Sequence, residues 1–505
     1  MDFTIIISRI HSTFYFYVPI LVIGYGVLSR VYNRYFHLQQ FKGPVLAGFS
    51  SLWLVRTYAT GNAAQKFLQL NKQYGKLARI GPNNLITDDP EINFRILGTH
   101  SPYRRGNWFD SLRFHPHFTS IASETSPEKH DALRWKVSAG YTTKNFIGLE
   151  DVLDRRIAEW LHRLDKKRME GGPHGFDLAR NVRYMTLDAA SYVCFSQDLM
   201  FTEDESDDFW DSIEESAPYA QYLSCVHGLF SIAWIACHIW GLRNKMILTE
   251  NNNPGIGRIL RVSRVATAKR FGPDAKIVDD MLGSWVKKGL SQYEAETEVS
   301  IALVTGAFPT ASAINVTILY ALANPRIWEL VKKELEIAIS NGLISSPVRN
   351  SEVDNLPYLQ ACINESLRLQ PPIVQLRERV VPTGGETIGD TYIPGGTNIG
   401  INMGALCRNP CFGEAPETYR PERWIEADVE RLAEMKRVHG LLFGYGSTRC
   451  LGIAQASMII NKALVEFLRR YTVEVLNPTD PWIDQSNGVS LHRRFLVRLQ
   501  KWGSK

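Results

Sequence analysis

Cysteine is scarce in this chain, with seven among 505 residues: Cys194, Cys225, Cys237, Cys362, Cys407, Cys411 and Cys450. An odd, scattered set of this kind excludes a disulfide framework and suits a reducing compartment. No C-x-x-C pair occurs, and Cys407 with Cys411, four apart, has no second pair to complete a zinc site. Long basic runs are missing too. With 57 Lys and Arg against 52 Asp and Glu the net charge is only +5, so nucleic-acid binding is not expected, although a weakly basic face suits an anionic membrane or an acidic partner. No period of roughly 20 to 50 residues recurs, which argues against solenoids and propellers. No Ser-rich or Pro-rich linker divides the chain after residue 50. A content of 45% hydrophobic and 22% charged residues excludes disorder and is enough for one large core.

A long uncharged stretch is present at the N-terminus. Between Arg9 and Arg30 lie 20 residues without a formal charge, including F-Y-F-Y-V-P-I-L-V-I-G-Y-G-V-L from Phe14 to Leu28. A helix of that length spans ~30 Å, the thickness of a bilayer core. Arg30, Arg34 and Lys42 follow it, so the positive-inside rule places the remainder in the cytosol. No small-residue cleavage site ends the stretch, which reads as a signal anchor. The expected organisation is a transmembrane anchor in residues 1–40 and a single large domain in residues 41–505.

Within that domain the reading is mainly α with a minor β-sheet region. Leu77 to Thr87 is strand-like. Apolar residues at helical spacing predict a helix from Tyr293 to about Ala323, stopped by Asn324-Pro325, and shorter helices near Arg326 to Ser340 and Tyr358 to Leu369. Pro371 to Arg423 is turn-rich, with strand pairs around G-G-E-T-I-G-D-T-Y-I-P-G-G, and a last helix is expected from just after Cys450 to about Tyr471. The long helix carries an anomaly in T-G-A-F-P-T-A-S, Thr305 to Ser312. An interior proline there removes one backbone donor and crowds the carbonyl of Thr305, at a cost of ~3 kcal/mol or more.

The strongest local signal is F-G-Y-G-S-T-R-C-L-G, Phe443 to Gly452, followed at once by an apolar helix. A helix N-terminus and nearby backbone N–H groups favour a thiolate, and glycines let the backbone approach something flat and bulky. A buried structural cysteine and a nucleophilic cysteine are the competing readings. A soft thiolate ligand on haem iron accounts for the whole pattern.

The loop resembles the haem-ligand signature F-x-x-G-x-x-x-C-x-G of the cytochrome P450 family, with Phe443, Gly446, Cys450 and Gly452 in the fixed places. E-S-L-R, Glu365 to Arg368, resembles the family's E-x-x-R helix. P-E-R-W, Pro421 to Trp424, resembles the segment whose arginine joins it in a buried charge cluster. H-D-A-L-R, His130 to Arg134, resembles the helix that holds a haem propionate, and Arg379 stands where the family uses another cation for this purpose. The resemblance runs from the anchor to about Arg498 and is greatest to membrane-bound enzymes of filamentous fungi. Two departures stand out. Thr448 occupies the usual arginine position, with Arg449 next to it as the substitute propionate contact. T-G-A-F-P-T aligns with A-G-x-D-T-T, so Phe308 replaces the acid and Pro309 the alcohol that normally steers protons to dioxygen. Thr310 lies one residue, about 100°, round the helix, and a single-turn bulge at Pro309 is the expected way to bring it into place.

The resemblance implies a haem-thiolate catalytic domain on the endoplasmic reticulum membrane, single-pass and facing the cytosol. It implies haem b as cofactor, NADPH-cytochrome P450 reductase and cytochrome b5 as electron donors, and a small lipophilic substrate of secondary metabolism. Trp108, Phe109, Phe114, Phe118 and Phe308 are expected to line an apolar pocket. The altered Phe308-Pro309 pair keeps open a rearrangement, cyclisation or oxidative coupling, and a non-catalytic haem-binding protein is the remaining alternative.

Overall fold

The computed structural model describes residues 32, 35–114, 118–142, 148–170, 172–197, 199–204, 221–222, 224–225 and 254–503. The uncharged stretch between Arg9 and Arg30, which forms the span of the predicted anchor, lies outside them. Helices dominate and strands form small sheets, as the sequence pattern implies. The largest sheet has five strands in the order Leu77–Gly81, Asn84–Thr87, Asn398–Ile401, Arg379–Val380 and Arg104–Arg105. The strand-like stretch Leu77 to Thr87 is thus two antiparallel strands joined at Pro82-Asn83. The Asn84–Thr87 strand runs parallel to Asn398–Ile401, and Arg105 pairs with Arg379 across the far edge. The G-G-E-T-I-G-D-T-Y-I-P-G-G segment forms a hairpin, Glu386–Ile388 against Thr391–Ile393. Its two-residue turn requires positive φ, which Gly389 supplies at 59°.

The helix Gln292–Leu322 crosses the domain. Ser291 and Glu294 close a capping box at its start, and Asn324-Pro325 ends it by opening the next helix, Pro325–Ser340. Among the described residues it is the one helix long and apolar enough to cross a membrane, but 78% of its apolar window is buried. It is therefore the core helix, flanked by Leu178–Phe195, Pro254–Ala268, Pro357–Leu369 and Ile453–Leu468. The helix after Cys450 stops at Leu468 and not at Tyr471. Tyr471–Val475 alternates buried and exposed residues and forms a strand against Leu496–Lys501, where its β-branched residues fit better.

A buried charge cluster ties the helix Pro357–Leu369 to the segment before the cysteine loop. Glu365 is fully buried and accepts two bonds from Arg368 (2.8 and 2.7 Å), one from Arg423 Nε (2.8 Å), one from Trp424 Nε1 (2.9 Å) and one from the Arg420 N–H (3.0 Å). Burial alone would raise the Glu365 pKa, but the Arg368 bonds outweigh it and the carboxyl lies below the ordinary range. Arg368 also donates to the carbonyls of Cys407 and Pro416, and Arg423 to those of Phe412 and Thr418. One carboxylate thus organises about 55 residues of turn-rich chain between Arg368 and Arg423, because its hydrogen-bond network closes loops that carry little secondary structure of their own. Glu365→Ala leaves two guanidinium groups buried without their carboxylate, so a loss of roughly 3–5 kcal/mol is expected in chemical denaturation.

Glu298 of the long helix is a different case. It is fully buried, one oxygen accepts the Ile121 N–H at 2.6 Å, and the other has no partner among the described residues. Burial pushes its pKa from the ordinary 4.5 up to about 8. The folded state therefore holds a proton that the unfolded state releases, and stability falls as pH rises from 4.5 towards 8. Glu298→Gln removes this dependence, so the melting temperature of the variant should gain on that of the parent as pH is raised through that interval.

Candidate active site

The cysteine loop leaves the helix Val429–His439 through two short 3-10 turns, Gly440–Phe443 and Gly446–Thr448. It closes on itself where the Cys450 N–H donates to the Phe443 carbonyl at 2.7 Å. Gly446, at φ 61°, cannot be replaced cheaply, because a Cβ there would stand 2.4 Å from the Leu97 carbonyl oxygen. Gly452 caps the helix Ile453–Leu468, and its N–H bonds the Cys450 sulfur.

Cys450 has open surface, whereas Cys194, Cys225, Cys362 and Cys407 are buried. Its surroundings are nevertheless dense enough that desolvation is the largest influence on its thiol, so its open surface faces an internal space. The Gly452 N–H and the charges of Arg134, Arg377 and Arg449 draw the pKa down, but burial outweighs them and the thiol lies above its ordinary value. His439, the nearest histidine in sequence, faces away: its Nε2 is 3.1 Å from the Asn364 carbonyl and its ring meets the edge of Trp424.

Basic side chains converge beside this space. His130 and Arg134 come from the helix Pro127–Val137, which starts with Pro127 behind a Ser126 cap. Arg379 and Arg105 are register partners on neighbouring strands. His130 is buried, its Nδ1 is 3.3 Å from Asp131, and its Nε2 has no partner among the described residues. Burial, then the nearby Arg105 charge, pushes it down to about 4. Arg134 donates to the Arg449 carbonyl at 3.0 Å. Arg379 donates to the carbonyls of Arg377 and Glu378 and to the Thr448 hydroxyl at 3.0 Å. Thr448 thus engages the neighbouring cation where an arginine was expected, and Arg449 beside it is exposed.

Two members of the cluster, Arg105 and Arg377, were not legible in the sequence. Arg105 donates to the carbonyls of Ile121, Ala122 and Glu124, and burial lowers its pKa to about 10. Arg377 sits at φ 46°, a left-handed position that is rare for a long side chain and signals a constrained site. Its Nε and one Nη lack partners among the described residues, and burial lowers it to about 10 as well. An R-x-R pattern with Glu378 between is the one available signal, since alternate residues of a strand share a face. Glu378 does point elsewhere, accepting from Asn84 at 2.6 Å.

These cations are short of counter-charge. Arg105, Arg134, Arg377, Arg379 and His130 are all drawn down by desolvation, and Glu124 and Asp131 are the carboxylates felt by Arg105. Buried cations require anions, and the unpartnered His130 Nε2 and Arg377 nitrogens are free to bond them. A haem's two propionates beside an accessible cysteine fit this donor set.

The long helix is open along one short stretch. From Ala295 to Ala321 it is buried except at Glu296, Val304, Thr305, Gly306, Pro309 and Tyr320. Its middle therefore opens on Thr305, Gly306 and Pro309, and the helix stays α-helical through them. The single-turn bulge expected at Pro309 is absent. Thr310 is buried and donates its hydroxyl to the Gly306 carbonyl at 2.7 Å. Phe308 lies in the core, not on the open face. The aromatic pocket is also revised: Phe109 is buried under the guanidinium groups of Arg105 and Arg379, with Trp108 edge-on to it, and Phe118 stacks on Tyr293. Phe114 packs against the core.

The cytochrome P450 family model matches residues 43–496. Over 463 residues the chain is 33% identical to the cytochrome P450 monooxygenase aba1 of Botryotinia fuckeliana, with 90% of each chain covered. It is 32% identical over 490 residues to the monooxygenase ABA1 of Pyricularia oryzae, covering 92% of this chain and 93% of that one. It is 28% identical over 489 residues to the pisatin demethylase of Fusarium vanettenii, covering 92% and 89%. The chain therefore belongs to the cytochrome P450 family, monooxygenases that bind haem iron through a cysteine thiolate.

Proposed function

We propose that this protein is a membrane-associated monooxygenase that inserts one oxygen atom into a small lipophilic intermediate of fungal secondary metabolism. NADPH-cytochrome P450 reductase supplies the electrons, with cytochrome b5 as a further donor. The observation that carries this reading is the accessible sulfur of Cys450 beside buried cations that lack anions. Cys450 would hold a haem whose iron would supply the chemistry that activates dioxygen.

The chain's own residues have separable tasks in this account. Cys450 is the metal ligand, steadied by the Gly452 N–H, while Phe443 and Gly446 fix the path of the loop. Arg379, Arg105, Arg377 and Arg134 neutralise the two propionates, and His130 offers its Nε2 as a hydrogen-bond partner to one of them. Arg449 contributes its carbonyl, which orients Arg134, and a positive charge near the sulfur. The names of the relatives in Botryotinia fuckeliana and Pyricularia oryzae support oxygen insertion.

Residues 1–40 act as the anchor in the endoplasmic reticulum membrane, and residues 41–505 form the cytosolic catalytic domain. Supporting this, Val45, Leu46, Phe49 and Leu52, soon after the anchor, are exposed apolar residues on two short helices. Such a patch suits contact with a bilayer surface.

Two outcomes are expected. Arg379→Ala and His130→Ala each remove a buried charge-assisted partner worth ~1.5–3 kcal/mol, so haem should bind roughly ten- to a hundredfold more weakly, read as haem retained per protein on dilution. Deleting the gene in its host should accumulate a precursor lighter than the lost metabolite by one oxygen atom in accurate mass. An isomeric precursor, or one richer only in hydrogen, would assign rearrangement or oxidative coupling instead, a reading that the loss of the usual alcohol at Pro309 supports.

A further inference from the structure

We propose that Thr305 supplies the hydroxyl of the dioxygen site, taking the place of the alcohol lost at Pro309. This rests on the monooxygenase reading above. Three features of the long helix converge on it. Thr305 is the one hydroxyl on the open part of the helix, because Thr310 is buried. Four residues separate Thr305 from Pro309, a rotation of about 400°, so the two share a face to within about 40°. Thr310, at about 100° from Pro309, does not.

The proline also changes what Thr305 offers. Pro309 has no N–H, so the Thr305 carbonyl loses its donor four residues on. The Thr305 hydroxyl donates to the Ile301 carbonyl at 2.8 Å, which fixes its rotamer while its lone pairs remain available. With Thr305 exposed, its hydroxyl oxygen and its freed carbonyl can give a water molecule two polar partners there. The substitution that deletes the usual alcohol thereby creates an acceptor one turn earlier and places a hydroxyl beside it.

Each turnover in this account takes up O2, two electrons and two protons; one oxygen atom enters a C–H bond and the other leaves as water. The electrons come from the reductase. The protons come from solvent through the water and hydroxyl at Thr305, which is reprotonated after each transfer.

Carbon monoxide bound to the reduced holoenzyme tests this without a known substrate. A hydroxyl or anchored water that donates to the diatomic ligand lowers the C–O stretching frequency. Thr305→Val should therefore move the infrared band to higher frequency and abolish its shift in heavy water. Thr305→Ser should restore both, and Thr310→Val should leave both unchanged. An unchanged band in Thr305→Val, or a shift in Thr310→Val equal to that expected at Thr305, overturns the proposal. Failure of the unaltered protein to form a thiolate-type carbon monoxide adduct would instead overturn the assignment of Cys450, so the two failures are distinct.

Discussion

A guanidinium group stripped of water needs a partner, and the interior of this protein holds more of them than its carboxylates can serve. Two clusters resolve this differently. Around Glu365 the count closes: one carboxylate meets Arg368 and Arg423, and main-chain carbonyls take the remaining donors. Around Arg379 it does not close, for Arg105 and Arg377 add to the charge and the His130 Nε2 has no partner among the described residues. The first cluster is a structural staple. The second is a binding site waiting for anions, and its position beside Cys450 determines what kind of ligand the fold is built around.

The long helix sets the other boundary. A 31-residue helix, buried along most of its length, is expensive to interrupt, yet its middle is open at Thr305, Gly306 and Pro309. Burying that stretch would gain ~25 cal/mol for each Å² of apolar area, so leaving it open is a cost that a bound group must offset. The proline fits this economy of shape. Its missing N–H and its ring affect a face with no close-packed neighbour to disturb, which is why the helix remains regular through it.

Much of the framework could be read from the chain. Apolar spacing from Tyr293 and the Asn324-Pro325 stop mark the ends of the long helix within a residue or two, and turn chemistry locates the Glu386–Ile393 hairpin. The glycine-rich loop and the helix after it single out Cys450, whereas Glu365, Arg423, His130 and Arg379 stand out only through the resemblance to the family's motifs. Arg105 and Arg377 were missed because they join the cluster through strand pairing and a left-handed backbone, which are products of tertiary structure. The aromatic residues misled for a related reason: Phe109 looks like a pocket wall in sequence, but packing places it beneath two arginines. Thr305 and Thr310 differ only in which face of the helix was left open, and periodicity in a helix apolar nearly all round does not reveal that.

The account's central claim is that Cys450 ligates iron within a site whose cations hold the haem. Iron-edge X-ray absorption on the purified holoenzyme tests it most directly. A single sulfur scatterer in the iron shell, lost in Cys450→His while the remaining shell persists, is the predicted result. An unaltered protein whose iron shows only nitrogen and oxygen neighbours would contradict it.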